Sequence, residues 1–157
     1  MSFNWENILV ACTNYPAIYS IKQAFWANDT ITFIVLLFVA LASFISHLVE
    51  NHKHGMNGIG LSTKVSFYLN RVDIIACICV IFRLIYLYCA KYGTNINILL
   101  KNKYKVLIMI TPIIFLAISE YDKYNHNLKT LYIIMHSLWH ISIFVVINIF
   151  LKIFIYI

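Results

Sequence analysis

The stretch from Thr30 to Val49 reads TITFIVLLFVALASFISHLV and contains no Asp, Glu, Lys or Arg. A helix of about 20 apolar residues is long enough to cross the roughly 30 Å hydrocarbon core of a bilayer. Polar residues mark both ends, with Asp29 immediately before the stretch and Glu50 immediately after it. This stretch therefore predicts a transmembrane helix, and it decides the fold class.

The composition of the whole chain agrees with that prediction. Of its 157 residues, 62% are hydrophobic and only 11% are charged. Soluble domains carry about 25% charged residues, so this chain lacks the polar groups to cover a surface that faces water. We expect an all-α, polytopic transmembrane helical bundle that forms one domain over residues 1–157. Disordered proteins, disulfide scaffolds and ordinary cytosolic enzymes are excluded, because the compositions that they need are absent.

Hydropathy and length together predict about five membrane spans. They lie at residues 8–26, 30–49, 65–90, 104–119 and 131–157. The first has the weakest pattern because polar residues and Pro16 interrupt it, and no cleavage site of a signal peptide follows it. The lysines slightly favour an N-terminus that is outside the cell or lumenal. We expect a multi-pass protein of the plasma membrane or an endomembrane.

The net charge of +6 does not indicate nucleic-acid binding. The lysines and arginines stand singly between apolar runs, where they suit helix ends and lipid headgroups. Arg83, inside the third span, is interpreted as reaching the opposite interface. The loop residues Glu50, His52 and His54 are interpreted as solvated.

Ionisable side chains inside the predicted spans are the strongest indication of function. Each costs about 2.5 to 3.5 kcal/mol to insert, so each is a candidate functional residue. Ser43 and His47 are spaced i, i+4, as are His136 and His140, so each pair shares one helix face. Because successive spans alternate in direction, these two pairs and Asp73 are expected at one membrane face.

Three histidines with a carboxylate and a hydroxyl nearby predict a zinc site. Catalytic zinc takes three protein ligands and one water, and it accepts neutral imidazole nitrogens. His47, His136 and His140 are the candidate ligands. Asp73 could orient or deprotonate the water, and Ser43 could hydrogen-bond to it or to a developing oxyanion. The alternative is that the two histidines of the last span are interfacial, packed with Trp139 and bonded to backbone or water.

Taken together, these motifs resemble a known superfamily. Ser43-x-x-x-His47, Asp73 in a span, and the run from His136 to His140 (HSLWH) are similar to the signature of the CREST superfamily. That superfamily contains alkaline ceramidases, adiponectin-type receptors, Per1-like proteins and transmembrane protein 8 relatives. The resemblance is closest to the transmembrane protein 8 and Myomaker branch. There a similar histidine stretch follows an acidic, Tyr-rich loop such as residues 120–124 here, and residues 33–60 are also similar.

The resemblance implies zinc held by the three histidines, with Ser43 and Asp73 beside it, in a bundle that hydrolyses amide or ester bonds of membrane lipids. Some relatives are receptors instead, and Myomaker promotes cell fusion. Those relatives usually have seven spans, so this chain resembles a reduced version that lacks the middle pair, between Ala90 and Tyr104.

We therefore expect a zinc-dependent hydrolase of a membrane lipid. The alternative is a non-enzymatic protein of the Myomaker type or a receptor-like scaffold, in which zinc is structural. A third possibility is a small subunit of a larger complex without metal. A membrane lipid is the expected substrate or ligand, and a homo-oligomer or a partner subunit could replace the missing helices.

Overall fold

A computed structural model describes residues 5–156, and every regular element within that range is helical. The α-helices are α1 (Trp5–Cys12), α2 (Ala17–Trp26), α3 (Thr30–Val49), α4 (Thr63–Tyr92), α5 (Asn97–Lys101), α6 (Lys103–Ser119) and α7 (Lys129–Phe150). A 3₁₀ turn (His126–Leu128) precedes α7, and a π-helical turn (Leu151–Ile155) follows it. The all-α prediction is confirmed. Residues 1–4 and 157, which the predicted domain and last span include, lie outside the described residues.

Three helical stretches are long and apolar enough to span a membrane, fewer than the five expected. They are Thr30–Val49, Thr63–Tyr92 and His126–Ile155. The predicted span 8–26 is instead divided into α1 and α2 by a turn, because Pro16 has no N–H to donate and its ring disfavours a continuous helix. The predicted span 104–119 is α6, whose 17 residues extend about 26 Å.

Polar side chains cap the starts of α3 and α4. The Asp29 side chain accepts a hydrogen bond from the backbone N–H of Thr32 at 3.0 Å, which starts α3. The helix ends at Glu50, where the backbone becomes extended. Ser62 caps α4 in the same way through the N–H of Val65. Gly93, with φ at +61°, ends α4 in the left-handed region that favours glycine.

The helices pack so that a cleft remains along one side of the bundle. α3 packs against α1, α2 and α4, whereas α7 packs against α1, α2 and α6. Within residues 5–156, no Cα of α7 lies within 8 Å of a Cα of α3 or α4, and none of α6 lies that close to α4. α3 and α7 therefore face each other across a space that only side chains can bridge.

The apolar core lies between α2, α3, α4 and α7. Its buried residues are Ala17, Ala24, Leu36, Val39, Ala76, Val80, Phe144, Ile147 and Leu151. The alanines let neighbouring backbones approach closely, as small residues do in membrane bundles. Large apolar side chains such as Ile31 and Phe82 are exposed on the outer faces, which suits contact with lipid.

The end of the bundle at the start of α3 is held by an ion pair. The Arg83 guanidinium lies 2.7 Å from Asp29 Oδ1, and its Nε donates to Thr32 Oγ1 at 2.8 Å. The Tyr156 hydroxyl donates to Asp29 Oδ2 at 3.1 Å. This network joins α3, α4 and the end of the described chain.

Candidate metal centre and cleft

Three buried histidines meet near the opposite end of α3. His47 lies in the last turn of α3, while His136 and His140 lie one turn apart on α7. Their relative exposures are 1%, 4% and 2%. The ring centroids are 4.6, 4.7 and 4.8 Å apart, close to an equilateral triangle. One nitrogen from each ring lies within 4.8 Å of the other two.

The outward-facing nitrogen of each ring has a fixed partner. Nδ1 of His47 lies 3.0 Å from Glu50 Oε2, and Nδ1 of His136 lies 3.1 Å from Ser119 Oγ. Nδ1 of His140 lies 2.9 Å from Thr13 Oγ1 and 3.3 Å from the carbonyl oxygen of Val10.

These partners determine the tautomers. The Glu50 carboxylate and the Val10 carbonyl only accept hydrogen bonds. The hydroxyls of Ser119 and Thr13 already donate to the carbonyls of Leu116 and Val10, so their oxygens are left to accept. Each Nδ1 therefore carries the proton, and each Nε2 presents a lone pair to the centre of the triangle.

The geometry at the centre suits a divalent metal ion. Nε2 of His47 and Nε2 of His136 are 3.2 Å apart. Two nitrogens bound tetrahedrally to one zinc at 2.0–2.1 Å would be about 3.3 Å apart. Metal-ligating histidines commonly donate their other N–H to a carboxylate, a backbone carbonyl or water, as His47 and His140 do here. The residues present thus fit a three-histidine metal centre.

Asp73 and Ser43 lie beside the histidine triangle. Asp73, on α4, places Oδ2 3.7 Å from Nε2 of His47. Ser43, one turn before His47, places Oγ 3.4 Å from Nε2 of His140. Both side chains are buried. The structure thus brings all five sequence-predicted site residues together.

Glu50 belongs to the centre rather than to a solvated loop. It is fully buried, and it accepts hydrogen bonds from His47 and from the hydroxyl of Tyr132. Burial alone would raise the pKa of Glu50, but the hydrogen bonds from His47 and Tyr132 and the charge of Lys53 lower it. The carboxylate is therefore ionised at neutral pH. Its position three residues after His47 was the signal that could have identified it.

The interpretation of His54 as solvated is also wrong. Its side chain is buried, with Nε2 3.1 Å from the carbonyl oxygen of Ser119, and its ring stacks on Tyr132. Of the three loop residues interpreted as solvated, His52 alone is partly exposed, and its Nδ1 lies 2.8 Å from Ser66 Oγ. The loop after α3 folds back over the histidines instead of extending into solvent.

Asn7 on α1 fixes the turn that carries His47 and Glu50. Its side-chain amide donates to the carbonyl oxygens of His47, at 2.8 Å, and Glu50, at 2.9 Å, while its oxygen accepts from the N–H of Gly58. Asn7, Thr13 and Ser119 were missed by sequence reasoning, because no motif links them to histidines so distant in the chain.

The cleft beside α4 connects the histidines to an apolar channel. Near the centre it is lined by His47, Asp73, His136 and Trp139. Further along α4 and α7 the lining becomes almost wholly apolar and includes Val80, Ile81, Leu84, Ile143 and Ile147. The cleft therefore has one polar end, at the histidines, and one apolar end.

Comparison with known proteins finds a relative that matches this chain over nearly its full length. No protein-family model and no solved structure matches the chain. The chain is 48% identical over 151 residues to "Uncharacterized protein L282" of Acanthamoeba polyphaga mimivirus, a match that covers 96% of this chain and 99% of that protein. Identity at this level over nearly the full length of both proteins shows common descent, so this chain belongs to the same family as that mimivirus protein.

Proposed function

We propose that this protein is a multi-pass membrane protein that holds zinc with His47, His136 and His140 and hydrolyses an amide or ester bond of a membrane lipid. The observation that carries the proposal is the orientation of the three imidazoles. All three turn Nδ1–H outward to an acceptor and leave Nε2 facing one buried point. A cation at that point would accept all three Nε2 lone pairs as ligands.

The side chains around that point supply the other parts of a hydrolytic site. When bound, zinc would polarise a carbonyl group and supply a hydroxide nucleophile near neutral pH. Asp73 is close enough to the centre to accept the proton of the attacking water. Ser43 can donate a hydrogen bond to the carbonyl oxygen as that oxygen gains negative charge.

The hydrolysis balances without a further reactant. The hydroxyl of the attacking water stays on the acyl carbon, and the bond from that carbon to the leaving oxygen or nitrogen breaks. Asp73 returns its proton to the leaving atom, which regenerates the carboxylate. No electron donor or acceptor is needed.

The apolar end of the cleft favours a lipid as substrate or ligand. An acyl chain could lie along Val80, Leu84 and Ile147 while its carbonyl group reaches the histidines. Water-soluble substrates would gain little from such a lining, because burial of apolar surface is the main interaction that it offers.

We extend the proposal to five membrane crossings with the N-terminus outside or lumenal. α1 and α2 together would form one crossing and α6 another, since these helices pack against α3 and α7. The meeting of Ser43, Asp73 and the three histidines supports a place in the CREST superfamily, nearest to the transmembrane protein 8 branch. The bundle is open on one side, between α4 and α6. A seven-span member of that superfamily would have its two additional helices at this position.

A non-enzymatic function with a structural zinc is the second candidate. It is favoured by the packing, because α3 and α7 do not approach each other closely and zinc would join them. Such a protein could act in cell fusion, like Myomaker, or as a receptor-like scaffold. A second copy or a partner subunit could then fill the open side.

Metal analysis tests the common basis of both candidates. We expect about one zinc per chain in the purified wild type and none in the double variant His136→Ala, His140→Ala. His126→Ala is the matched control, because His126 is exposed on the 3₁₀ turn outside the triangle, and it should keep the metal. Absence of zinc from folded wild type, or its retention in the double variant, would reject both functions.

A further inference from the structure

The polar end of the cleft carries more positive charge than the metal centre uses. Besides the histidines and Asp73, it is lined by Lys53, Arg71, Glu120 and Lys123. Asp73 and Glu120 are the acidic residues in this lining. The distribution of partners among the three cations decides which of them are available to a ligand.

Lys53 is already neutralised by the protein. Its ammonium group donates to Glu120 Oε1 at 2.8 Å and lies 3.6 Å from Glu50 Oε1. Its side chain is only 9% exposed. Lys53 is therefore a structural cation that holds the loop after α3 against the end of α6.

Arg71 and Lys123 are not neutralised. Within residues 5–156, neither has a carboxylate oxygen within 4.0 Å. The Arg71 guanidinium lies 4.7 Å from the centre of the Phe67 ring, and the Lys123 ammonium lies 5.2 Å from that of Tyr124. Ring contacts orient these groups but leave their N–H donors free for a ligand. Two exposed cations, one on α4 and one in the loop after α6, therefore line the same opening.

The order of groups along the cleft matches the order along a phospholipid. Arg71 precedes Asp73 by two residues, which is about 3 Å along the helix axis towards the start of α4. A ligand would thus meet cations first, then the histidines with Asp73, then the apolar channel. A glycerophospholipid presents a phosphate, an acyl ester and a hydrocarbon chain in that sequence.

We propose that the cleft binds a phospholipid with a net negative headgroup, whose phosphate contacts Arg71 and Lys123. This proposal rests on the proposed function in one respect only: if the centre hydrolyses lipids, such a phospholipid is its substrate. Phosphate diesters accept several charge-assisted hydrogen bonds, and an arginine fork suits their geometry. A neutral lipid such as ceramide would leave both cations without a partner.

Trp139 makes lipid binding measurable without activity. It lines the cleft, whereas Trp5 and Trp26, the other two tryptophans, are 60% and 75% exposed. Replacing these two with phenylalanine leaves Trp139 as the only tryptophan. Bromine on an acyl chain quenches tryptophan fluorescence on contact, so brominated lipids report occupancy of the cleft. Asp73→Asn is included throughout so that the probe is not consumed.

The protein is reconstituted in unbrominated phosphatidylcholine with increasing fractions of one brominated lipid. The three probes are phosphatidylglycerol, phosphatidylcholine and diacylglycerol. We expect phosphatidylglycerol to quench Trp139 at a mole fraction at least about fivefold lower than phosphatidylcholine, as one well-placed charge pair would give. Arg71→Gln with Lys123→Gln should abolish that preference and leave quenching by diacylglycerol unchanged.

Lys64→Gln is the matched control. Lys64 lies two turns before Arg71 on α4 and is exposed, but it does not line the cleft. It should leave the preference intact. An equal loss in Lys64→Gln, or no preference in the parent protein, would overturn the proposal in favour of general attraction between a basic surface and headgroups.

Two further readouts separate the possible failures. Soluble glycerol phosphate should not relieve quenching by phosphatidylglycerol, and relief would show that the site takes free phosphate esters rather than lipid. Zinc is measured in the same samples. A headgroup preference in zinc-free protein would sustain the binding site and reject the zinc hydrolase. Zinc without a headgroup preference would reject the phospholipid site and leave the metal centre standing.

Discussion

Each histidine of the triangle owes its tautomer to one neighbouring acceptor. The Glu50 carboxylate, the Ser119 hydroxyl and the Val10 carbonyl come from three different parts of the chain. They turn Nε2 of three ordinary imidazoles towards one buried point. At this scale, the chemistry depends on which hydrogen bonds surround the histidines as much as on the histidines themselves.

Replacing Glu50 with glutamine should weaken zinc binding by about 10- to 100-fold. The substitution keeps the size of the side chain but removes the charge that would make His47 a stronger ligand for zinc. Competition with a fluorescent zinc chelator measures the change. Glu6→Gln is the control, since Glu6 pairs with Lys129 away from the triangle. Equal affinity in wild type and Glu50→Gln would show that Glu50 has no effect on the metal.

Asp73→Asn should separate the two candidate functions. Because Asp73 is not one of the three ligands, we expect zinc content to stay near one per chain. Release of fatty acid or amine from a lipid mixture, followed by mass spectrometry, should fall at least about 100-fold, since general-base catalysis contributes that much. Unchanged lipid hydrolysis in this variant would remove Asp73 from the mechanism.

At the scale of single elements, α3 is held by polar groups at both ends. Asp29 caps its start and pairs with Arg83, and Asn7 binds the carbonyls of its last turn. Burial alone would raise the pKa of Asp29, but hydrogen bonds from Thr32 and Arg83 and the charge of Arg83 lower it. The stabilisation is therefore present above the ordinary value of 3.8 and is lost as pH falls through the lowered pKa.

Two substitutions at Asp29 should separate its role as the helix cap of α3 from its role in the ion pair with Arg83. Asn is a good helix cap but carries no charge, so Asp29→Asn loses the ion pair and its dependence on pH. Asp29→Ala loses the cap as well and should be less stable than Asp29→Asn by about 0.5 to 2 kcal/mol. Thermal unfolding in detergent at pH 7 and below 4 measures both. Identical melting of the two variants would mean that the cap contributes nothing.

At the scale of the whole molecule, polar contacts lie at the two ends of an apolar bundle. The Asp29–Arg83 pair closes one end, while the histidine triangle bridges α3 and α7 at the other. Between them, within residues 5–156, no Cα of α4 lies within 8 Å of a Cα of α6 or α7, which leaves the cleft open at the side. Metal at the triangle should therefore stabilise one end of the bundle more than the other.

Removal of zinc by a chelator should loosen the bundle at one end only. We expect faster hydrogen exchange in the last turns of α3 and the first turns of α7, with little change around Asp29 and Arg83. Mass spectrometry of peptic fragments measures the pattern. The double variant His136→Ala, His140→Ala should show fast exchange with or without chelator. A uniform response along the chain would contradict a local role of the metal.

Much of the fold and part of the site could be predicted because they depend on local patterns. Apolar length alone identifies α3, α4 and the stretch around α7. The i, i+4 spacing of His136 and His140 places them on one face of α7, and the alternating direction of spans brings them towards His47. The short span at 104–119 was predicted and matches α6, whereas the break between α1 and α2 was not predicted, because a hydropathy window averages over a turn at Pro16.

The sequence by itself determined the helical, apolar character of this protein and the face of each helix that carries a polar group, since both follow from composition and helical periodicity. Only the tertiary structure decided that Glu50 and His54 are buried, that Asn7, Thr13 and Ser119 support the histidines, and that Arg71 and Lys123 share an opening. The reason is physical: burial and hydrogen bonding depend on contacts between residues far apart in the chain, and no local pattern encodes those contacts.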